Sequence, residues 1–380
     1  MAKLSGYDGI VCFAGEDWWY HNKGHFDMKV MEEFSKNQKV IFINSVGMRV
    51  PKPGKTTNIV QKIKRKLASI SKGMVQVEEN FYVYSPFYIP GKTFSAISNL
   101  LLKLQVKALT KKLGMTQPLT WVVTPTVSKA INLRKFDVIY QRTDKNEMLS
   151  DGDSEFIEQS VEALKRDAKL VIYSSKALQN KESNAVKDSL HVSHGVADVF
   201  FNKSLIEQPT EMKASDRAKV VFVGAIDSHT FDLSLLLYSA KALANTDFYL
   251  IGEVSMGEKL QREDVPNNVH FLGKKAQNEV PSYLHNADVL AMFWQGNEWI
   301  EYCSPVKFKE YLTAGKPIVS TFFNGWNEFG TSNINVSNDY DEFVDNLRCA
   351  IQNGERQRLD MDSERWSHKA RLIAEKLNEA

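Results

Sequence analysis

Three runs in the second half of the chain restrict its fold most: Val220-Val221-Phe222-Val223-Gly224, Phe248-Tyr249-Leu250-Ile251-Gly252 and Val269-His270-Phe271-Leu272-Gly273. Each is a short β-branched or aromatic stretch that stops at a glycine, the pattern of a buried strand running into a turn. Helical periodicity lies between the first two, at Leu233 to Leu243. It returns at Pro281 to Ala287, before a further apolar run at Val289 to Trp294. The first half follows the same order, with strands at Tyr7 to Phe13 and Val40 to Asn44 around a helix at Phe26 to Ser35, then Val138 to Tyr140 and Leu170 to Tyr173. Strands alternating with helices require parallel sheets with right-handed crossovers, an α/β fold. Strands that stop at glycine let a ligand approach the backbone, so a binding crevice is predicted at their carboxyl ends.

At 380 residues, 43% of them apolar, the chain exceeds one ordinary domain and suffices for two. Residues 1–199 form the first predicted domain and 220–362 the second. Between them, 200–219 is polar and holds Pro209, which reads as a linker. Cys12, Cys303 and Cys349 are few and odd in number, which disfavours a disulfide framework or a cysteine metal site and suits a reducing cytoplasm. One lysine precedes the short Ile10 to Phe13 run, and no stretch nears the roughly 18 apolar residues of a membrane span. Neither an export signal nor a spanning helix is expected.

Charge is distributed unevenly. From Phe34 to Phe136 stand 18 Lys and Arg against two acids, Glu78 and Glu79, so this stretch holds +16 while the whole chain holds +2. Within it, segments 57–71 and 94–113 read as basic amphipathic helices. Ile59, Ile63, Leu67 and Ile70 mark one apolar face, and Ile97, Leu100, Leu101, Leu104 and Leu109 another, with lysines interleaved. Their apolar faces either complete the domain core or rest on an anionic membrane surface.

The chemistry concentrates in Ser304 to Pro317. Pro305 suits a first helical turn, and Gly315 with Pro317 stops the helix. Lys307 and Glu310, three apart, share a face near an N-terminus whose free N–H groups favour phosphate. A cation with amides suits a diphosphate, and a carboxylate one turn on suits sugar hydroxyls; the plainer alternative is a surface ion pair. In the first half, residues 16–25 leave the carboxyl end of the first strand and carry Trp18, Trp19 and Tyr20, which either stack on a sugar, sit at a lipid interface or dock on their own core. His21 and His25 join them as candidate acceptor contacts. They lack the glutamate and third ligand of a zinc site, so no metal is expected. Asp144 lies just past the strand at Val138 to Tyr140, where a general base would be useful. A turn or capping role is its alternative, although Ser150, Asp151 and Asp153 stand nearer the next helix.

Taken in order, several blocks resemble the GT-B glycosyltransferases of bacterial envelope-polysaccharide synthesis, of the family 4 or group 1 type. They are His194-Gly195-Val196, Phe222 to Ile226 with Phe231-Asp232, Leu250 to Gly252, Phe271 to Gly273 and, most specifically, Pro305-Val-Lys-Phe-Lys-Glu-Tyr-Leu-Thr-Ala-Gly-Lys-Pro317. The resemblance implies two facing Rossmann-like domains, with 363–380 as a terminal helix crossing back to the first. It implies a nucleotide-sugar donor, uridine-linked, used without a metal or other cofactor. Lys307 would contact the diphosphate, Glu310 the ribose and Gly224 the phosphates; Phe271 and Gly273 would lie near the base, with Ser304 a further donor contact.

The first half is similar, more loosely, to the membrane-associated, inverting glucuronosyltransferase of xanthan synthesis, and Tyr140-Gln-Arg-Thr-Asp144 aligns there with Asp144 as base. Retaining family 4 members carry a glutamate eight positions before the ribose glutamate, where Tyr302 stands here beside Glu301. They also carry Arg and Lys after the Phe-Val-Gly strand, where Ala225-Ile226-Asp227-Ser228 stands. Inversion is therefore expected. The acceptor implied is a lipid-linked or envelope saccharide, met at the inner face of the cell membrane by a cytoplasmic, peripheral enzyme. A nucleotide-sugar epimerase, a nucleic-acid-binding protein using the +16 stretch, and a catalytically silent scaffold are the alternatives. The first needs no acceptor surface and the second leaves the Lys307–Glu310 block unexplained, so no nucleic acid is expected as partner.

Overall fold

The computed structural model describes residues 2–20, 23–46, 59–89, 95–131, 133, 136–143, 154–202, 207–257, 260, 263–297, 300, 306–354 and 357–379. Of the expected site residues, His21, Asp144 and Ser304 lie outside them. The chain divides into two compact units, Met1–His194 with Trp366–Ala380, and Gly195–Arg365.

The first unit is built on an eight-stranded sheet. Its strands are β1 (Gly9–Phe13), β2 (Lys39–Ile43), β3 (Met74–Glu78), β4 (Phe81–Tyr84), β5 (Leu119–Val122), β6 (Val138–Arg142), β7 (Leu170–Tyr173) and β8 (Ser189–His191). They are ordered β3-β4-β2-β1-β5-β6-β7-β8, and only β3 runs antiparallel, against β4. Helices α1 (Phe26–Ser35), α2 (Ile59–Ile70), α3 (Ser95–Lys112), α4 (Ser154–Asp167) and α5 (Lys176–Glu182) connect them. β1 is central, paired with β2 and β5, and so is apolar on both faces. Ile10 and Cys12 join one core layer, and Val11 and Phe13 the other. That alternation is what a period of two within a covered sheet requires.

The second unit holds helix α6 (Thr210–Lys213), β9 (Ala218–Val223), a short β10 (Ile226–Asp227), α7 (Leu233–Ala242), β11 (Thr246–Ile251), β12 (Val254–Ser255) and β13 (Val269–Gly273). These are followed by α8 (Val280–His285), β14 (Val289–Met292), α9 (Val306–Ala314), β15 (Ile318–Ser320), β16 (Ile334–Val336) and α10 (Tyr340–Asn353). Its main sheet is ordered β13-β11-β9-β14-β15-β16 and is parallel throughout. Within the stretch 200–219, Phe200 and Met212 are buried in this unit's core. Asp232 caps α7 by accepting from the Leu235 N–H at 3.0 Å and also accepts the Tyr340 hydroxyl of α10 at 2.9 Å.

Helix α11 (Trp366–Glu379) belongs to the first unit. Its Trp366, Ala370, Ile373, Ala374 and Leu377 enter the same core layer as Phe26. The Trp366 ring meets Phe26 edge-on at 5.3 Å between centroids and His194 at 6.1 Å. At its far end Asn378 holds the first residues of the chain, accepting from the Ser5 N–H at 2.7 Å and donating to the Lys3 carbonyl at 3.0 Å. Among the described residues no helix is long and apolar enough to cross a membrane.

Candidate active site

Helix α9 stops where its sequence says it must. Gly315 takes the left-handed conformation, φ 65°, and donates to the Leu312 carbonyl at 3.1 Å, a helix stop that favours glycine. Phe308, Tyr311, Leu312 and Ala314 face the core, leaving Lys307 partly exposed. Its ammonium lies 2.9 Å from the Glu310 carboxylate, which is almost fully buried. Burial raises the Glu310 pKa above the ordinary carboxylate value, and the Lys307 charge and hydrogen bond oppose that rise without cancelling it. The pair is thus a cation open to solvent, held by a carboxylate with its back to the protein.

Tyr311 fixes this helix to the sheet. The Val223 N–H donates to its hydroxyl oxygen at 2.7 Å, and the hydroxyl donates to the Ala291 carbonyl at 3.4 Å. Because Val223 ends β9, the bond also places Gly224. Substitution Tyr311→Phe leaves a buried N–H without its acceptor, and a loss of about 1–3 kcal/mol is expected in chemical unfolding of the second unit. A loss within a few tenths of a kcal/mol would mean that the bond is dispensable. Lys309, one position from the exposed cation, is itself buried and pairs with Glu364 at 2.6 Å. The Glu364 carbonyl in turn accepts from the Val196 N–H at 2.7 Å.

The glycines that close β9, β11 and β13 gather at one edge of the sheet. Gly224 donates to the Ile251 carbonyl at 2.9 Å, and Gly252 to that of Gly273 at 3.0 Å. Pairing between β11 and β13 shifts by one after Leu250, so that Ile251 stands opposite Gly273. Room for a ligand is not what all three provide. Gly252, at φ 153°, has the Gly224 carbonyl oxygen 1.7 Å from where a Cβ would stand, and a Cβ on Gly224 would meet the Phe222 ring at 2.8 Å. Gly273, at φ 68°, faces open space, and Phe271 beside it is half-buried against the core. After Gly224, Ile226 is fully buried. Asp227 is occupied by the N–H groups of His229 and Thr230 at 2.8 and 2.7 Å.

In the first unit Trp18 turns inward, 3% exposed, with its ring 5.5 Å from Phe42 and 4.9 Å from Phe81. Its backbone N–H donates to the Asn44 side-chain oxygen at 2.9 Å. Docking on its own core is thus the role Trp18 takes, whereas Trp19 is half-buried and Tyr20 exposed. His25 is exposed and stands at the N-cap of α1 without a side-chain cap bond. A residue that no sequence pattern flagged lies beside it: Asp27, buried, accepts from the Gly15 N–H at 2.9 Å. Burial raises its pKa, against the Gly15 N–H and the nearby His25. It is legible only once α1 is laid against the end of β1. Among the described residues no three His, Cys, Asp or Glu side chains gather to hold a metal ion.

Residues 217–353 match the family model described as Glycosyl transferases group 1, and no curated protein matches the chain. Solved structures share its fold along nearly the whole length. Anabaena HepE, solved with UDP and glucose, is 13% identical with a TM-score of 0.60 over 98% of this chain and 97% of its own. A UDP-forming α,α-trehalose-phosphate synthase from Burkholderia vietnamiensis is 12% identical, TM-score 0.61, over 99% and 96%. The sucrose-phosphate synthase of Thermosynechococcus elongatus is 14% identical, TM-score 0.58, over 97% and 94%. Over residues 217–353 the second unit, with its Lys307–Glu310 helix, is thus similar to the group 1 glycosyltransferases, in a chain whose fold is that of the GT-B glycosyltransferases.

Proposed function

We propose that this transferase moves a sugar from a uridine-linked donor to a lipid-linked or envelope saccharide, with inversion, at the inner face of the cell membrane. The observation that carries the donor half is the Lys307–Glu310 pair, an open ammonium backed by a buried carboxylate on the first turns of α9. A diphosphate fits the ammonium and the first-turn N–H groups, and ribose hydroxyls fit the carboxylate. Similarity to a protein solved with UDP and glucose supports the uridine choice. Ser304, Gly224, Phe271 and Gly273 complete the donor contacts in this reading.

Asp144 is the base. It takes the proton of the acceptor hydroxyl as that oxygen attacks the anomeric carbon and the bond to the diphosphate breaks. Lys307 and the α9 amides neutralise the departing charge, so that no metal ion is required. Trp19, His21 and His25 flank the acceptor. Segments 57–71 and 94–113 bring the enzyme to anionic lipid, each lysine near the headgroups contributing about 1 kcal/mol.

The test is calorimetric titration with UDP, GDP and ADP in the presence of EDTA, on the wild type and on Asp144→Asn, together with turnover. Binding of UDP in preference to the others, unchanged in Asp144→Asn while turnover falls about 10²–10⁴-fold, is the expected result. No binding of any nucleotide would remove the donor reading, and equal loss of affinity and turnover would remove Asp144 as base.

A further inference from the structure

Periodicity shows that α2 and α3 have apolar faces; the structure shows which way they point. Of the fourteen large apolar side chains exposed among the described residues, eight lie between residues 60 and 104. On α2, Val60, Ile63 and Leu67 are 67%, 50% and 59% exposed. Ser69 is its one buried side chain among those described, tied to Asp17 at 3.0 Å and to Ser85. Helix α3 is apolar on two sides. Leu102 and Leu109 enter the core, while Ile97, Leu100 and Leu104, at i, i+3 and i+7, stand more than half exposed.

The ridge on α3 is widened by a device of its own. Gln105 accepts from the Phe87 N–H at 2.9 Å and donates to the Phe87 carbonyl at 3.0 Å. Ser98 does the same for Ile89, at 3.3 and 2.9 Å. Two side chains thus stand in for a neighbouring strand, satisfying the backbone of residues 87 and 89 while Phe87 and Ile89, 50% and 42% exposed, project outward. Ser69 of α2 reaches Ser85, two residues before Phe87, so the buried side of α2 is held near the carboxyl end of β4 while its apolar face is turned to solvent.

We infer that these two faces insert into the hydrocarbon of an anionic bilayer, so that attachment is partly apolar and survives high salt. The inference deepens the membrane half of the proposed function and rests on it. A clustered apolar surface of this kind marks an interaction site, and its surroundings choose the occupant. At helical spacing Lys64 flanks the apolar face of α2 and Lys103, Lys107 and Lys111 that of α3, and no acid occurs from residue 80 to residue 136. A second copy docked face to face would oppose two surfaces of the same sign, whereas an anionic leaflet supplies opposite charge at its surface and apolar chains beneath.

The experiment is sedimentation of the full chain with phosphatidylglycerol–phosphatidylcholine vesicles at about 0.1 M and about 1 M salt, across which the screening length falls from about 10 Å to about 3 Å. The wild type is expected to stay bound at high salt. Phe87→Ser combined with Leu100→Ser, both at exposed positions, is expected to weaken high-salt binding about 100-fold, about tenfold for each side chain withdrawn from hydrocarbon, with UDP titration unchanged. Wild type released fully at high salt would overturn the insertion while leaving electrostatic attachment intact. No binding at low salt would overturn the membrane reading itself. A dimer in solution, dispersed by the same two substitutions, would assign the surface to a second copy instead.

Discussion

Lys307→Ala is expected to lower kcat/KM by about 10²–10³-fold, the cost of removing one preorganised charge from a leaving group. Two effects combine in that loss. In the proposed site the diphosphate would lose the ammonium that stabilises it as its bond breaks, and Glu310 loses the partner held 2.9 Å away. The second effect has its own signature in pH. An ionised carboxylate accepts from ribose hydroxyls through both oxygens, whereas protonation removes its charge and turns one acceptor into a donor, and burial already raises the Glu310 pKa against the opposing Lys307 charge. Donor affinity is therefore full above that raised value and is lost as pH falls through it. With Lys307 gone the opposing charge is gone, and the acid limb of UDP binding moves to higher pH in the variant. Measured affinity against pH separates the outcomes: an acid limb at the same pH in both proteins would mean that Glu310 does not meet the donor as proposed.

Gly252→Ala is expected to be among the most destabilising single substitutions in the second unit. The added methyl would stand 1.7 Å from the Gly224 carbonyl oxygen, a backbone atom that moves only with the end of β9. The φ of 153° adds strain of its own, about 1–3 kcal/mol for a backbone conformation that side-chain-bearing residues rarely adopt. Overpacking contributes a comparable amount, about 1–3 kcal/mol. Together these approach the lower part of the roughly 5–15 kcal/mol that holds a domain folded. Gly273→Ala is the control, since nothing lies within 4 Å of its Cβ position and its cost is limited to φ 68°. Thermal unfolding of the two variants side by side is the measurement. Equal shifts would show that the Gly224–Gly252 approach is not what sets the cost.

The Lys307–Glu310 pair was legible in the sequence because helical spacing places side chains three apart on one face, and Pro305 and Gly315 are start and stop signals in the sequence. What fixes that helix was not. The Tyr311 hydroxyl meets Val223 across 88 positions, and such a bond leaves no local periodicity. The strand-ending glycines were visible as glycines, but only the pairing of β9 with β11 shows that Gly252 accommodates a neighbouring carbonyl rather than a ligand. Trp18 is a similar case: three adjacent aromatics signal a special loop, and which of them turns inward depends on Phe42 and Phe81. For α2 and α3 the helices themselves were plain, because an amphipathic period needs no tertiary information. Their outward apolar faces were not, since a pattern fixes that a face exists without fixing its direction.

The discontinuity of the first unit bears on the order in which the polypeptide acquires structure. Residues 195–365 are contiguous, so the second unit can close its core as soon as they have left the ribosome. The first unit, although synthesised earlier, presents Phe26 and His194 without Trp366 until the last helix is made. Through synthesis of the whole second unit, that apolar layer waits for α11 and stands open to chaperones and to aggregation.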